Sequence, residues 1–292
     1  MNRITATPVL ATLLCSLAPL PVPAQAAPPA LEWSIHRLEA RPEAVQLALR
    51  YETSRGGTGT TSRPVPLREL EGLTAAQLSS SAGTPVRFRL RREAGVFDCE
   101  GSLRDGRGSG QCDFAADARF AAGLDRRGIG RPTAAQQFSL ALHDVGLAFV
   151  DELASQGYAR PDVAELVRAG QHGARLDYLR SMGELGYRVG SLAELVRMKD
   201  HGVNAEFVRG LASHGYRDLP ADELVRLRDH GVTPRFIAEM RELGYEGLTP
   251  SQLVRMRDHG VTPDFARRVN TRAGTRRTVS ELVRMRDRGE TW

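Results

Sequence analysis

Lysine is nearly absent from this chain: Lys199 is the only one among 40 basic side chains, and the rest are arginine. Codon bias yields such a skew as readily as function does. Cysteine is scarce too, three in 292 residues, and no C-x-x-C pair is present, which argues against a redox motif or a cysteine-based zinc site. The common catalytic signatures are missing: there is no Gly-x-Ser-x-Gly, no His-Glu-x-x-His and no phosphate-cradling glycine loop. Apolar runs are confined to the N-terminus, and nothing later is apolar enough to cross a bilayer. A concentrated charge of one sign is also lacking. The formal net charge is +5 with a pI near 9.5, but the charge is dispersed and does not support nucleic-acid binding.

The N-terminus reads as an export signal. Arg3 supplies a short positive start, an apolar stretch runs from about Val9 to Leu17, and proline-broken sequence ends in the small-x-small pattern Ala24-Gln25-Ala26. Residues 1–26 are expected to be a cleaved signal peptide, leaving a periplasmic or secreted chain with no transmembrane segment. Retention as an anchor is the alternative, but Pro8, Pro19, Pro21 and Pro23 leave the apolar run short for a span. Leu14 is too bulky to make Cys15 a lipoprotein cysteine. Export leaves Cys99 and Cys112 where disulfides persist.

What is present, from residue 133 onward, is a period of 29. His143, His172, His201, His230 and His259 keep that step, as do Phe149, Tyr178, Phe207, Phe236 and Phe265. Gly-Tyr pairs recur at 157–158, 186–187, 215–216 and 244–245. An unbroken period through five copies signals a stacked repeat array.

Capping chemistry says what each unit is. Thr249-Pro250-Ser251-Gln252 is a capping box with proline at the first helical position. The same box recurs as Thr133…Gln136, Asp162…Glu165, Ser191…Glu194 and Thr278…Glu281, and Pro220 breaks the series. Each box predicts a helix of about nine residues ending at His-Gly. There Gly202, Gly231 and Gly260 act as left-handed caps beside His201, His230 and His259, as Gly173 does beside His172. A second helix of similar length follows and ends at Gly-Tyr. Helices this short are unstable alone in water. Residues 132–292 are therefore expected to form an α-solenoid of five helical hairpins and a terminal half-unit.

Residues 27–131 read differently. Period-two alternation marks strands at Val45–Thr53 and Val86–Arg91. Two further strands, 95–101 and 108–114, flank Arg104-Asp105-Gly106-Arg107, a hairpin signal. Residues 55–66 are expected to be a mobile loop, and 117–127 a helix. The fold class is then multidomain α+β: a small antiparallel β domain followed by an all-α repeat array.

Cys99 and Cys112 are placed to bridge the hairpin strands. The histidine ladder reads as structural, His172, His201, His230 and His259 each bonding the last carbonyls of their own helix. Sharing a metal between neighbours is disfavoured, because stacked helices lie about 8–10 Å apart. The arginine ladder Arg168, Arg197, Arg226, Arg255 and Arg284, with Arg228 and Arg257 beside it, offers a strip for an acidic partner. Its alternative is a solvated face of paired charges. Asp98, Glu100, Asp105 and Asp113 cluster at the hairpin, where carboxylates are normally solvated.

The block L-R-D-H-G-V-T-P-x-F at 227–236, followed by L-G-Y at 243–245, resembles tandem repeats of exported or membrane-attached bacterial proteins. Some of those are antirepressor-like sensor proteins that also carry a peptidase domain. The resemblance covers about residues 133–292 and implies a repeat architecture in an envelope setting. The peptidase's metal motif is absent, so it implies no catalytic residue, cofactor or substrate. The expected function is a non-enzymatic scaffold that binds protein partners in the envelope, with weak contact to anionic polymer. A sensory accessory binding a small ligand or metal ion is the second reading, and a hydrolase of the β domain the third.

Overall fold

A computed structural model describes residues 31–53 and 56–290 of the chain; the expected signal peptide, residues 1–26, lies outside them. Among the described residues, seven strands form one antiparallel half-barrel sheet: β1 (Leu31–Arg37), β2 (Ala44–Glu52), β3 (Thr58–Pro66), β4 (Leu70–Glu71), β5 (Thr84–Arg92), β6 (Gly95–Arg104) and β7 (Arg107–Ala116). Their order is β3-β2-β1-β7-β6-β5-β4. Asp105 and Gly106 both take positive φ, 48° and 73°, which matches the hairpin twist between β6 and β7. The inner face is apolar and centred on Trp33, which is 1% exposed. Gly101 and Gly110 face each other across β6 and β7, and a Cβ on either would come within 2.7 Å of the Trp33 ring. The indole covers that gap and donates from Nε1 to Glu100 O at 3.0 Å.

The loop expected at 55–66 is instead mostly the edge strand β3. Its register with β2 runs from Thr58–Glu52 to Pro66–Ala44. Two prolines and an exposed polar run hid it, yet both prolines fit an edge. Leu67 N–H donates to Glu43 O, so odd positions bond to β2. Pro64 and Pro66 turn their missing donors outward.

Among the described residues, twelve further α-helices follow a short one, α1 (Ala75–Leu78). They are α2 (Ala118–Arg126), α3 (Ala134–Leu142), α4 (Leu147–Ser155), α5 (Val163–Gln171), α6 (Leu176–Glu184) and α7 (Leu192–Asp200). After these come α8 (Ala205–Ser213), α9 (Ala221–Asp229), α10 (Pro234–Glu242), α11 (Pro250–Asp258), α12 (Pro263–Ala273) and α13 (Val279–Asp287). Side-chain caps start most of them, for example Thr133, Asp162, Thr249 and Thr278 in complete capping boxes. At Ser191 the box is half made, because Glu194 turns to Arg197 instead. First helices touch first helices, α3 with α5, α5 with α7, α9 with α11 and α11 with α13. Second helices touch in sequence from α4 through α12, and α2 joins that row by packing on α4. Schellman ends close the helices: Val232 N donates to Leu227 O at 2.9 Å and Tyr245 N to Met240 O at 3.0 Å.

The β and helical regions share one continuous apolar core. Helix α3 lies on β6 and β7, where Phe138 stacks edge-on against Tyr51, Phe97 and Phe114. Gln137, 5% exposed, donates from Nε2 to Ala94 O at 2.8 Å and Asp117 O at 2.7 Å. Each carbonyl also takes one longer backbone bond, Ala94 O from Asp117 N at 3.2 Å and Asp117 O from Ala121 N at 3.4 Å. Gln137→Leu keeps the volume but removes the shorter of the two bonds at each carbonyl, so it is expected to lower unfolding free energy by about 1 kcal/mol, read from urea denaturation.

Candidate interaction surface and its cross-unit ladders

His172, His201, His230 and His259 are the C-caps of α5, α7, α9 and α11. Their imidazoles do not bond the carbonyls of their own helices. Each Nδ1 meets the carboxylate that ends the next first helix: His172–Asp200 at 2.7 Å, His201–Asp229 at 2.7 Å, His230–Asp258 at 2.5 Å and His259–Asp287 at 2.6 Å. The reason lies in the Schellman ends. Gly231 N and Val232 N already take Arg228 O and Leu227 O, so the ring is left to reach across to its neighbour. Gly202, Gly231 and Gly260 sit at φ of 71°, 68° and 65°.

A second ladder runs beside the first. Lys199 lies over the Tyr178 ring at 4.9 Å, Arg228 over Phe207 and Arg257 over Phe236 at 5.2 Å, and Arg286 over Phe265 at 5.3 Å. In every case the cation belongs to the first helix of the following unit. On its way the Arg257 side chain passes over Gly231, where a Cβ would sit 3.2 Å from its guanidinium. Arg228 and Arg257, expected to face a partner, are thus engaged between units. A third set of bonds runs from Tyr216 Oη to Leu248 O at 2.6 Å and from Tyr245 Oη to Arg277 O at 2.7 Å.

The remaining arginines divide. Arg197 pairs with Glu194 at 2.7 Å and with Asp222 of the next unit, and these hydrogen bonds raise its already high pKa. Arg226 reaches Glu223 at 3.5 Å and Ser251 at 3.2 Å. Arg284 lies within electrostatic reach of Glu281. Among the described residues, Arg168 and Arg255 are exposed and have no carboxylate partner. The substitutions explain it: where Asp222 serves Arg197, the corresponding positions for Arg168 and Arg255 are Ala193 and Ser280.

The sulfurs of Cys99 and Cys112 are 2.01 Å apart across β6 and β7. Of the hairpin acids, Asp98, Glu100 and Asp113 lie on the outer face of the sheet, in an open groove of about 720 Å³, while Asp105 stands apart in the turn. Arginines interleave them, Arg89 with Asp98 at 2.5 Å and Arg87 with Glu100 at 3.4 Å. Among the described residues no three His, Cys, Asp or Glu side chains converge as a metal site requires.

Two features of the first hairpin escaped sequence reasoning. His143 occupies the ladder position, but its partner place holds Gln171, and burial beside Arg175 and Arg63 pushes its pKa down to about 4. The next residue, Asp144, stands where later units have glycine and takes φ 59°. Its carboxylate pairs with Arg92 at 3.2 Å. The displaced glycine in the sequence was the signal.

Against protein-family models, curated proteins and solved structures, the chain matches none.

Two outcomes follow from the ladders and the first hairpin. A double-mutant cycle on His230→Ala and Asp258→Ala is expected to give a coupling of about 0.5 kcal/mol, because both groups are well exposed to solvent. His143 is held neutral in the fold, whereas an unfolded histidine gains a proton below about 6.5. Its contribution is therefore intact above pH 6.5 and lost as pH falls toward 4. His143→Gln is expected to flatten the fall of the urea midpoint across that window.

Proposed function

We propose that this chain is an exported, non-enzymatic interaction scaffold of the bacterial envelope. Its hairpins stack as an α-solenoid on the β domain, and the first-helix face receives acidic protein partners. The reading is carried by one observation: the polar ladder positions are consumed by contacts between neighbouring units, while Arg168 and Arg255, at a repeated position, stay exposed and have no carboxylate partner among the described residues. Stacked units present a repeated surface without needing a pocket. The docking set narrows accordingly to Arg168 and Arg255, with Arg197, Arg226 and Arg284 partly neutralised by their own carboxylates. Contact with anionic polymer is a weaker use of the same strip. The signal-like N-terminus and the repeat resemblance support the envelope setting.

The test is site-specific photo-crosslinking in intact cells from positions flanking the strip, such as Ser251. One recurring folded partner is expected, lost in the Arg168→Glu/Arg255→Glu variant at unchanged melting temperature. The capture should also fail near 1 M salt, where the screening length is about 3 Å. Capture indifferent to the charge reversal would contradict the reading.

A further inference from the structure

The seam between the sheet and the first two hairpins holds a group of charges that neither ladder uses. Arg63 comes from β3, Arg92 from the end of β5, and Arg175 from the N-cap position of α6. Facing the first two are Glu69 and Asp144, and Arg175 lies within electrostatic reach of Arg63 and His143. Arg92 meets Glu69 at 2.9 Å and Asp144 at 3.2 Å, while Arg63 reaches Asp144 only at 3.9 Å. His143, held neutral, borders the same cluster. Glu93 is turned elsewhere: it accepts from Leu147 N at 2.8 Å and caps α4.

The cluster is unbalanced, with three guanidiniums against two carboxylates. Burial and the neighbouring Arg92 and Arg175 push the Arg63 pKa down to about 10, against the pull of Asp144 and Glu69. Hydrogen bonding is incomplete as well. The Arg92 side chain is 8% exposed, and its Nε, like that of Arg175, is buried without a hydrogen-bond acceptor. For Arg92 the Asp144 oxygen is within ion-pair range but off the N–H direction. Buried donors without acceptors are costly, and water would satisfy the donor while leaving the charge. The outer side of the cluster meets solvent, with Asp144 at 48%, Glu69 at 34% and Arg63 at 23% exposed, and a small solute would enter there.

We propose that this seam binds a small tetrahedral oxyanion of the phosphate class, held by Arg63, Arg92 and Arg175. Guanidiniums approaching from three elements need more acceptor oxygens than Asp144 and Glu69 offer in the right directions, and arginine forks match phosphate geometry. The anion supplies the missing negative charge and draws Arg63 from its long contact with Asp144. It also ties two strands to a helix start, so occupancy makes the β domain and the hairpins stiffer as one body. The site stands independently of the scaffold reading and gives the protein a ligand input if both hold.

The test is a titration of the full mature chain with inorganic phosphate, and separately with glycerol 3-phosphate, at constant ionic strength. Phosphorus NMR and thermal melts are the readouts. A saturable one-to-one response is expected, with a rise in melting temperature that matched chloride does not give. Arg63→Gln and Arg175→Gln should each weaken binding about tenfold or more. Asp144→Asn should tighten it several-fold, because a competing carboxylate is gone and asparagine tolerates the left-handed backbone there. Tighter binding of glycerol 3-phosphate places the anion on a larger molecule, whereas binding of inorganic phosphate alone makes it a free ion. No saturation in the wild-type chain overturns the proposal, as does a response shared with chloride or weakened by Asp144→Asn. Should the arginine variants not fold, the wild-type and Asp144→Asn titrations decide the matter.

Discussion

Nine residues of helix are too few to stand in water, since the first turn costs more conformational freedom than the remaining hydrogen bonds return. Nearly every helix after Thr133 has that length, so the stability of each must come from its neighbours. The apolar side chains do most of this. Leu253 and Met256 on α11, and Phe236 and Met240 on α10, are all at most 4% exposed. The His–Asp and cation–ring contacts add little free energy each, because they are open to solvent. Their value is directional. Each fixes how one unit sits on the next, and each recurs at the same position. Such repetition gives the chain a regular face, and the proposed binding role rests on it.

The departures from the repeat are as informative as the repeat. In the first hairpin the ladder histidine loses its aspartate, the cap glycine becomes Asp144, and the start of α4 has no capping side chain of its own. The last two of these changes serve the sheet. Asp144 answers Arg92, Glu93 from the β5–β6 turn caps α4, and Gln137 binds two carbonyls that the sheet leaves facing α3. A unit that must meet a β surface on one side and a helical hairpin on the other cannot keep the consensus on both.

Much of this was legible in the sequence, and for physical reasons. Helix ends are announced locally by N-cap oxygens, prolines and left-handed glycines, so the starts of α3, α5, α7, α11 and α13 could be read from Thr133, Asp162, Ser191, Thr249 and Thr278, and the ends of α4, α6, α8 and α10 from the Gly-Tyr pairs. The Asp105-Gly106 turn announced its hairpin in the same way. Contacts between units are not local, and they were misjudged. The bonding of His230 to Asp258 is invisible in a ladder read down one helix, although an aspartate preceding His201, His230 and His259 was in plain view. The same blindness assigned Arg228 and Arg257 to a partner when aromatic rings one unit back were waiting for them. Strand β3 was lost because an edge strand tolerates proline and needs only Val65 in the core. The seam cluster of Arg63, Arg92 and Arg175 joins residues scattered over more than a hundred positions, and no spacing rule connects them.

The claim beneath the whole account is that a single hairpin has no structure without its neighbours. Far-UV circular dichroism of the excised unit, residues 220–248, tests it most directly. The account predicts a coil-like spectrum for that peptide, at a concentration where it is monomeric, although the same residues form α9 and α10 in the chain. A monomeric peptide with the helix content of those two helices would contradict it.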